Sequence, residues 1–374
     1  MKNIIFSLFT PYLLLISINT QANNTELLPQ NTTHNSSLIN KEKSHETNKT
    51  SVKTSNKNDT LKVLSLNIWM EGSQVKGGYE GIVNTIIYTH PDLVALSEIN
   101  NSHGDFTKKL VKSLHNKGLT YYSYKSKNDA GILSRYPIIH HSNFNRFTKS
   151  LVLINNVYVD FYSSHLDYTN AAYYLPRGYD GNTWKELPNG PDTNLDDILK
   201  ENNNSQRPNS IKLFINNAKS EVKKKHAIIL AGDFNEPSWM DWSEQTKDLF
   251  DHHGAVVPWT TTTLLKNANY LDSYRVKYTD PVAYPGFTWP ADNPGADISK
   301  LAWAPKADER DRIDFIFYHS DPRLTVQDAV IIGPSGSIVK GKRVKETSQD
   351  KFEQPQGVWP TDHKGVLVTF GLNP

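Results

Sequence analysis

Carboxylates, carboxamides and imidazoles stand at the ends of short apolar runs at six places in the chain. LKVLSLNIW closes on Asn67, PDLVALSEI on Glu98, and VYVDFYSSHLDY on His165 and Asp167. AIILAGDFNEP delivers Asp233 and, two residues on, Asn235. DRIDFIFY carries Asp311 and Asp314, and WPTDHKGVLVTF opens its run with Asp362 and His363. Taken singly, each reads as a cap or turn residue, because such side chains satisfy local backbone groups at strand ends. Together they supply what a phosphate-and-metal site requires: oxygen ligands for a hard cation, a base, and donors for oxygens that gain charge. The chain has no Cys, so thiolate metal sites and a Cys nucleophile are excluded.

These residues need elements to position them. From Leu61 onward short apolar strands are expected at 61–68, 92–97, 130–134, 151–165, 226–232, 313–319 and 364–370, with helices at 78–90 and 205–225. In the second helix Ile211, Phe214, Ile215, Ala218 and Val222 fall at helical spacing. The alternation predicts an α/β or α+β body of sheets covered by helices. The polar stretch 166–204 and the Pro- and Trp-rich stretch 254–310 read as long functional loops. One domain is expected over 61–374. Before it, residues 1–22 read as a cleaved signal peptide and 23–60, rich in Asn, Thr, Ser and Lys, as a disordered leader, which places the mature protein outside the cell or in the periplasm. A formal charge of +2 over 374 residues announces no polyanion-binding face, so any contact with one must be local.

The blocks SLNIW, ALSEI, SSHLD, GDFNEP, RIDFIFY and TDHKGV, in this order, resemble the signature blocks of the endonuclease/exonuclease/phosphatase superfamily, over about residues 61 to 370. The resemblance implies a four-layer α/β sandwich of two packed mixed β-sheets flanked by helices, deoxyribonuclease-like, with the site where strand ends meet. It also implies a phosphoesterase using Mg2+, with Mn2+ or Ca2+ as substitutes. Glu98 is the main expected metal ligand, assisted by the Asn67 amide oxygen and Asp362. His363 takes the base position or, if protonated, steadies phosphoryl oxygens; Asp314 is its expected carboxylate partner and Asp311 the alternative. Asp233 orients or deprotonates the attacking water, and Asn235 donates to oxygens gaining charge, an arrangement that suits i and i+2 if the chain stays extended. His165 resembles the histidine that holds a phosphate oxygen, with Asp167 either orienting it or starting the next loop. Where several branches carry an acid two places after the first Asn, this chain has Trp69, which favours one main metal or a shift to Glu71.

A nuclease-like activity is the first expectation for substrate, with Lys125, Lys127 and Arg135 near a backbone and the Tyr and Trp of 168–184 and 284–303 stacking on bases. The alternatives are a secreted phospholipid phosphodiesterase of sphingomyelinase type, touching a bilayer through VVPWT or PGFTWP, and a phosphomonoesterase on inositol or sugar phosphates. KGKRVK at 340–345 reads as a solvated loop. A monomer without an obligate protein partner is expected, and a non-catalytic binding domain is disfavoured because the acids, amides and imidazoles are all present.

Overall fold

The computed structural model describes residues 60–373 apart from His103 and Ser126. The signal peptide at 1–22 and the leader at 23–60 lie outside the described residues, except that Thr60 already opens the first strand. In chain order the elements are β1 (Thr60–Asn67), α1 (Gly78–Thr89), β2 (Leu93–Ser97), α2 (Phe106–His115), β3 (Tyr122–Lys125), β4 (Ala130–Ser134), β5 (His140–Phe144), β6 (Phe147–Ile154) and β7 (Val157–His165). There follow α3 (Leu195–Asn204), α4 (Arg207–Lys223), β8 (Ala227–Asp233), α5 (Thr260–Asn267), β9 (Tyr270–Asp272), α6 (Ser273–Lys277), β10 (Asp314–His319) and β11 (Leu324–Ile332). The chain ends with β12 (Ser337–Val339), β13 (Lys342–Val344), β14 (Phe352–Glu353) and β15 (Gly365–Leu372).

Two mixed sheets form, one in the order β14-β11-β15-β1-β2-β4-β3 and the other in the order β5-β6-β7-β8-β10-β9. They pack face to face through a buried core that draws Val63, Ala95, Ile132 and Val368 from the first and Phe161, Ile229 and Ile316 from the second. Ile82, Ile86, Leu110 and Leu114 of α1 and α2 cover the outer face of the first sheet, and Ile211, Phe214 and Ala218 of α4 cover the second. Each of the Val, Leu, Ile and Phe side chains among them, fully buried, contributes roughly 1.5–3 kcal/mol relative to exposure. The result is the expected four-layer α/β sandwich.

Alternation explains both the unbroken apolar strands and where the site sits. In β8, Ala227, Ile229 and Ala231 face the inter-sheet core while Ile228 and Leu230 face α4, so no position is left for a polar residue. Continuing the inner row by one step reaches Asp233. The same count along the inner rows carries β1 from Leu61 and Val63 to Asn67, β7 from Val159 and Phe161 to His165, and β10 from Tyr318 and Ile316 back to Asp314. Ladder pairing sets His165 and Asp314 on either side of Asp233. Gly232 lets this happen, because a Cβ there would lie 2.0 Å from the Ser164 carbonyl oxygen.

Several sequence expectations are corrected. The strand expected at 151–165 is the hairpin β6–β7, turned at Asn155 and Asn156, whose φ of 48° and 67° supply the left-handed turn that a tight hairpin needs. The stretches 166–204 and 254–310 are not bare loops. They hold α3, α5, β9 and α6, and they pack on each other over a fourth core containing Tyr174, Ile198, Trp242, Trp259 and Ala304. KGKRVK lies in the exposed hairpin β12–β13. No helix among the described residues is long and apolar enough to cross a membrane.

Candidate active site

At the edge of the sandwich two His–Asp pairs aim at one carboxylate. His363 Nδ1 bonds Asp314 Oδ2 at 2.9 Å, and His165 Nδ1 bonds Asp129 Oδ2 at 3.1 Å. The Nε2 atoms of both rings lie 3.8 Å from Asp233 Oδ2, too far for a direct hydrogen bond and close enough to share an oxygen with it. Asn67 Nδ2 donates to the same Oδ2 at 2.9 Å, while Asp233 Oδ1 accepts from the Asn235 backbone N–H at 2.8 Å.

The electrostatics follow from burial and from the acids around it. Burial alone would depress the pKa of His363, but the charges of Asp314, Asp233 and Asp362 and the bond to Asp314 outweigh it and push the value up to about 10. The same contest in His165 also ends above the ordinary value, through the bond to Asp129 and the charges of Asp233 and Glu98. The proton of the Asp314–His363 pair therefore sits on the imidazole at neutral pH, although burial also raises Asp314. Asp362 rises to about 7 by burial, and the negative charge of Glu98 adds to the rise.

Glu98 is held in a left-handed conformation, φ 64°, just past β2. Its Oε1 accepts from Asn67 Nδ2 at 3.0 Å and its Oε2 from the Met70 backbone N–H at 2.9 Å. That N–H is presented by a left-handed turn, with Trp69, Met70, Glu71 and Gly72 all at φ between 43° and 72°. Three consecutive non-glycine residues in this region store backbone strain of the kind that collects at functional sites.

The structure corrects several residue assignments. The amide oxygen of Asn67 accepts from the Trp69 N–H at 2.9 Å, so the side chain turns its nitrogen to Glu98 and Asp233 and ties the two acids together instead of presenting its oxygen to a metal. Asn235 is not extended: its φ is 49°, and its N–H closes a local turn on Asp233, while its Nδ2 donates to the Leu166 carbonyl at 3.1 Å. Asp311 is bound to Arg177 and to the Trp242 indole, which leaves Asp314 as the partner of His363. Asp167 is spent on Thr169 and on the N–H of Gln206 just before α4, so Asp129 orients His165. Asp129 escaped the sequence reading, although like the others it stands at the mouth of an apolar strand. Glu71 accepts from the Asn101 N–H and does not line the cavity. Arg312, next to Asp311, pairs with Asp241 and Asp272.

A cavity of about 450 Å3 opens over this floor, lined by Glu98, His165, Asp233, Asn235, Asp362 and His363. Its other walls are Met70, Ile313 and seven aromatic residues, Trp69, Tyr168, Tyr173, Tyr174, Trp184, Trp289 and Trp303. No Lys or Arg lines it among the described residues. Lys125 and Lys127 line a separate open groove, and Arg135 pairs with Asp92.

The Endonuclease/Exonuclease/phosphatase family model matches residues 64–363. The chain belongs to this family. An uncharacterized protein of Caenorhabditis elegans is 30% identical over 330 residues, 86% of this chain and 93% of that protein. Among solved structures, a humanized D. rerio TDP2 is similar at 16% identity and a TM-score of 0.48, over 84% of this chain and 99% of that one. A family protein from Leptotrichia buccalis is similar at 15% identity and a TM-score of 0.48, over 83% and 99%. The catalytic domain of human Nocturnin is similar at 13% identity and a TM-score of 0.46, over 84% and 95%.

As a member of the endonuclease/exonuclease/phosphatase family the protein is a metal-dependent phosphoester hydrolase, and its donor set fits a metal. Glu98 and Asp362 both line the cavity and repel each other's charge, an arrangement that a hard divalent cation relieves. Asp233, Asp314 and His363 also bring ligand atoms within 4.8 Å of one another. Asp314 and His363 are already committed to their mutual hydrogen bond, so the first pair is the better cation site.

Proposed function

We propose that the protein is an exported, magnesium-dependent phosphodiesterase that hydrolyses its substrate by in-line attack of water. The observation that carries this reading is the convergence of His165 and His363 Nε2 on Asp233 Oδ2, at 3.8 Å each. Two imidazoles aimed beside one carboxylate suit a phosphoryl group whose oxygens gain charge as water attacks. Asp233 takes the proton of that water, with its Oδ1 fixed by the Asn235 N–H. His363 and His165 donate from Nε2, one to a phosphoryl oxygen and one to the departing oxygen. Asn235 keeps one amide N–H for the same oxygens after bonding Leu166. Glu98 and Asp362 would hold the ion, and Mg2+, with Mn2+ or Ca2+ as substitutes, supplies Lewis-acid charge there.

The family is shared by nucleases and other phosphoesterases, and a walled cavity that no Lys or Arg lines among the described residues points to a diester small enough to enter it rather than a long polyanion. Hydrolysis of bis(p-nitrophenyl) phosphate with and without Mg2+ tests the reading, with His363→Ala as the blank. Turnover that needs the metal and falls roughly 10^3-fold in the variant is expected. Equal turnover in EDTA, or an unimpaired variant, contradicts it. Export rests on the apolar run of residues 1–22 and is checked by N-terminal sequencing of the mature chain.

A further inference from the structure

The aromatic walls of the cavity form a connected series of rings that begins at the catalytic floor. Trp289 lies 5.0 Å from the His363 ring, Trp303 6.5 Å from Trp289, Trp184 4.9 Å from Trp303, and Tyr174 5.0 Å from Trp184, centroid to centroid. Successive planes are tilted by 39° to 73°, so the rings curve into a bowl and do not stack as a parallel slot. One buried acid fixes the bowl. Glu309 accepts from Tyr174 Oη at 2.8 Å and from the backbone N–H groups of Trp303 and Ala304 at 3.1 and 3.2 Å, and Trp289 Nε1 donates to Tyr174 Oη at 3.3 Å. Trp303 stays 46% exposed, which leaves much of its indole open to a ligand.

Resting on the phosphodiesterase reading, we propose that this bowl receives a compact quaternary ammonium group carried by the substrate itself, so that the preferred diesters are those of choline. Electron-rich ring faces attract such a cation, which needs no hydrogen-bond partner and presents a rounded surface that tilted rings enclose. Glu98, Asp233 and Asp362 bring negative charge to the rest of the cavity, the imidazoles of His165 and His363 stay directed at Asp233, and no Lys or Arg lines it among the described residues. A nucleobase would call for a flat slot and polar groups along its edge, and a polynucleotide for a basic track. The rings of the cavity are tilted instead of parallel, and no basic track lines it among the described residues.

In the reaction the water oxygen bonds to phosphorus and the P–O bond to the alcohol that lacks the cation breaks. One water proton ends on that departing alcohol and the other on the phosphomonoester or solvent. Phosphocholine stays in the bowl until it dissociates. The diester can come from a bilayer lipid or from a soluble glycerol diester, and the chemistry recognised is the same.

The test uses the full mature chain with Mg2+ and two p-nitrophenyl diesters of equal shape, one of choline and one of the neutral 3,3-dimethylbutanol. We expect kcat/KM for the choline diester to exceed that for the neutral isostere by about tenfold or more, and the ratio to collapse towards one in Trp303→Leu while Trp303→Phe retains it. Bis(p-nitrophenyl) phosphate, run beside them, reports whether phosphodiester hydrolysis itself holds. Tetramethylammonium titration followed by Trp fluorescence reads the bowl without turnover. Saturable quenching that Trp303→Leu removes supports the proposal even if no diester is cleaved. Equal rates for the two isosteres, no quenching, or a single-stranded oligonucleotide outrunning the choline diester overturns it. Sphingomyelin vesicles and glycerophosphocholine, compared for phosphocholine release, then tell the bilayer source from the soluble one.

Discussion

The two His–Asp pairs have nearly the same geometry and different surroundings. Both rings hold Nε2 at 3.8 Å from Asp233, yet the side chains of His363 and Asp314 are 6% and 0% exposed, while those of His165 and Asp129 are 13% and 37% exposed. A charge pair out of water interacts far more strongly than one half in it. Burial therefore makes the Asp314–His363 pair the firmer cation source, and solvent screens the Asp129–His165 pair. One fold positions two imidazoles alike and sets them apart by solvent access and by the acids around each, Asp314, Asp233 and Asp362 about His363 and Asp129, Asp233 and Glu98 about His165.

Removing the rings gives the largest effect that could break this contrast. His363→Gln is expected to lower kcat on bis(p-nitrophenyl) phosphate by roughly 10^3-fold and His165→Gln by roughly 10^2-fold, measured at saturating Mg2+. Equal losses would make the two pairs equivalent. A smaller effect comes from the partners. Asp314→Asn should cost about 10^2-fold and Asp129→Asn about tenfold, because an amide no longer steadies the imidazolium and solvent already screens the outer pair.

The smallest effect lies in stability against pH. The folded pKa of His363 stands at about 10, above its ordinary 6.5, so its contribution is complete below 6.5 and is lost as pH rises from 6.5 through 10. Thermal unfolding in EDTA should thus show Tm falling over that window, and Asp314→Asn should flatten the slope. A wild-type Tm that is level or rising between these limits would remove the basis for the contrast.

Much of the floor was legible because strand periodicity gives it away. Asn67, His165, Asp233 and Asp314 each extend an inward-facing row, so their residue types at strand ends already imply one pocket. Asp129 was missed because the polar KSKND before it reads as a turn and the strand it precedes, Ala130–Ser134, is short. Asn235 was placed in extended chain because nothing in DFN announces that its N–H will close back on Asp233 Oδ1. The aromatic bowl lay beyond reach for another reason. Trp184, Trp289 and Trp303 meet only because two long segments fold on a shared core and Glu309 ties them, contacts that no local pattern encodes.

Burial with Asp314 keeps His363 charged beside Asp233 at neutral pH. An NMR titration of the histidine side chains in the metal-free protein, assigned with His165→Gln and His363→Gln, tests it most directly. His363 should remain imidazolium through neutral pH and release its proton only near about 10, after His165 has lost its own. A His363 that titrates near 6.5 would show that neither burial nor Asp314 holds its proton.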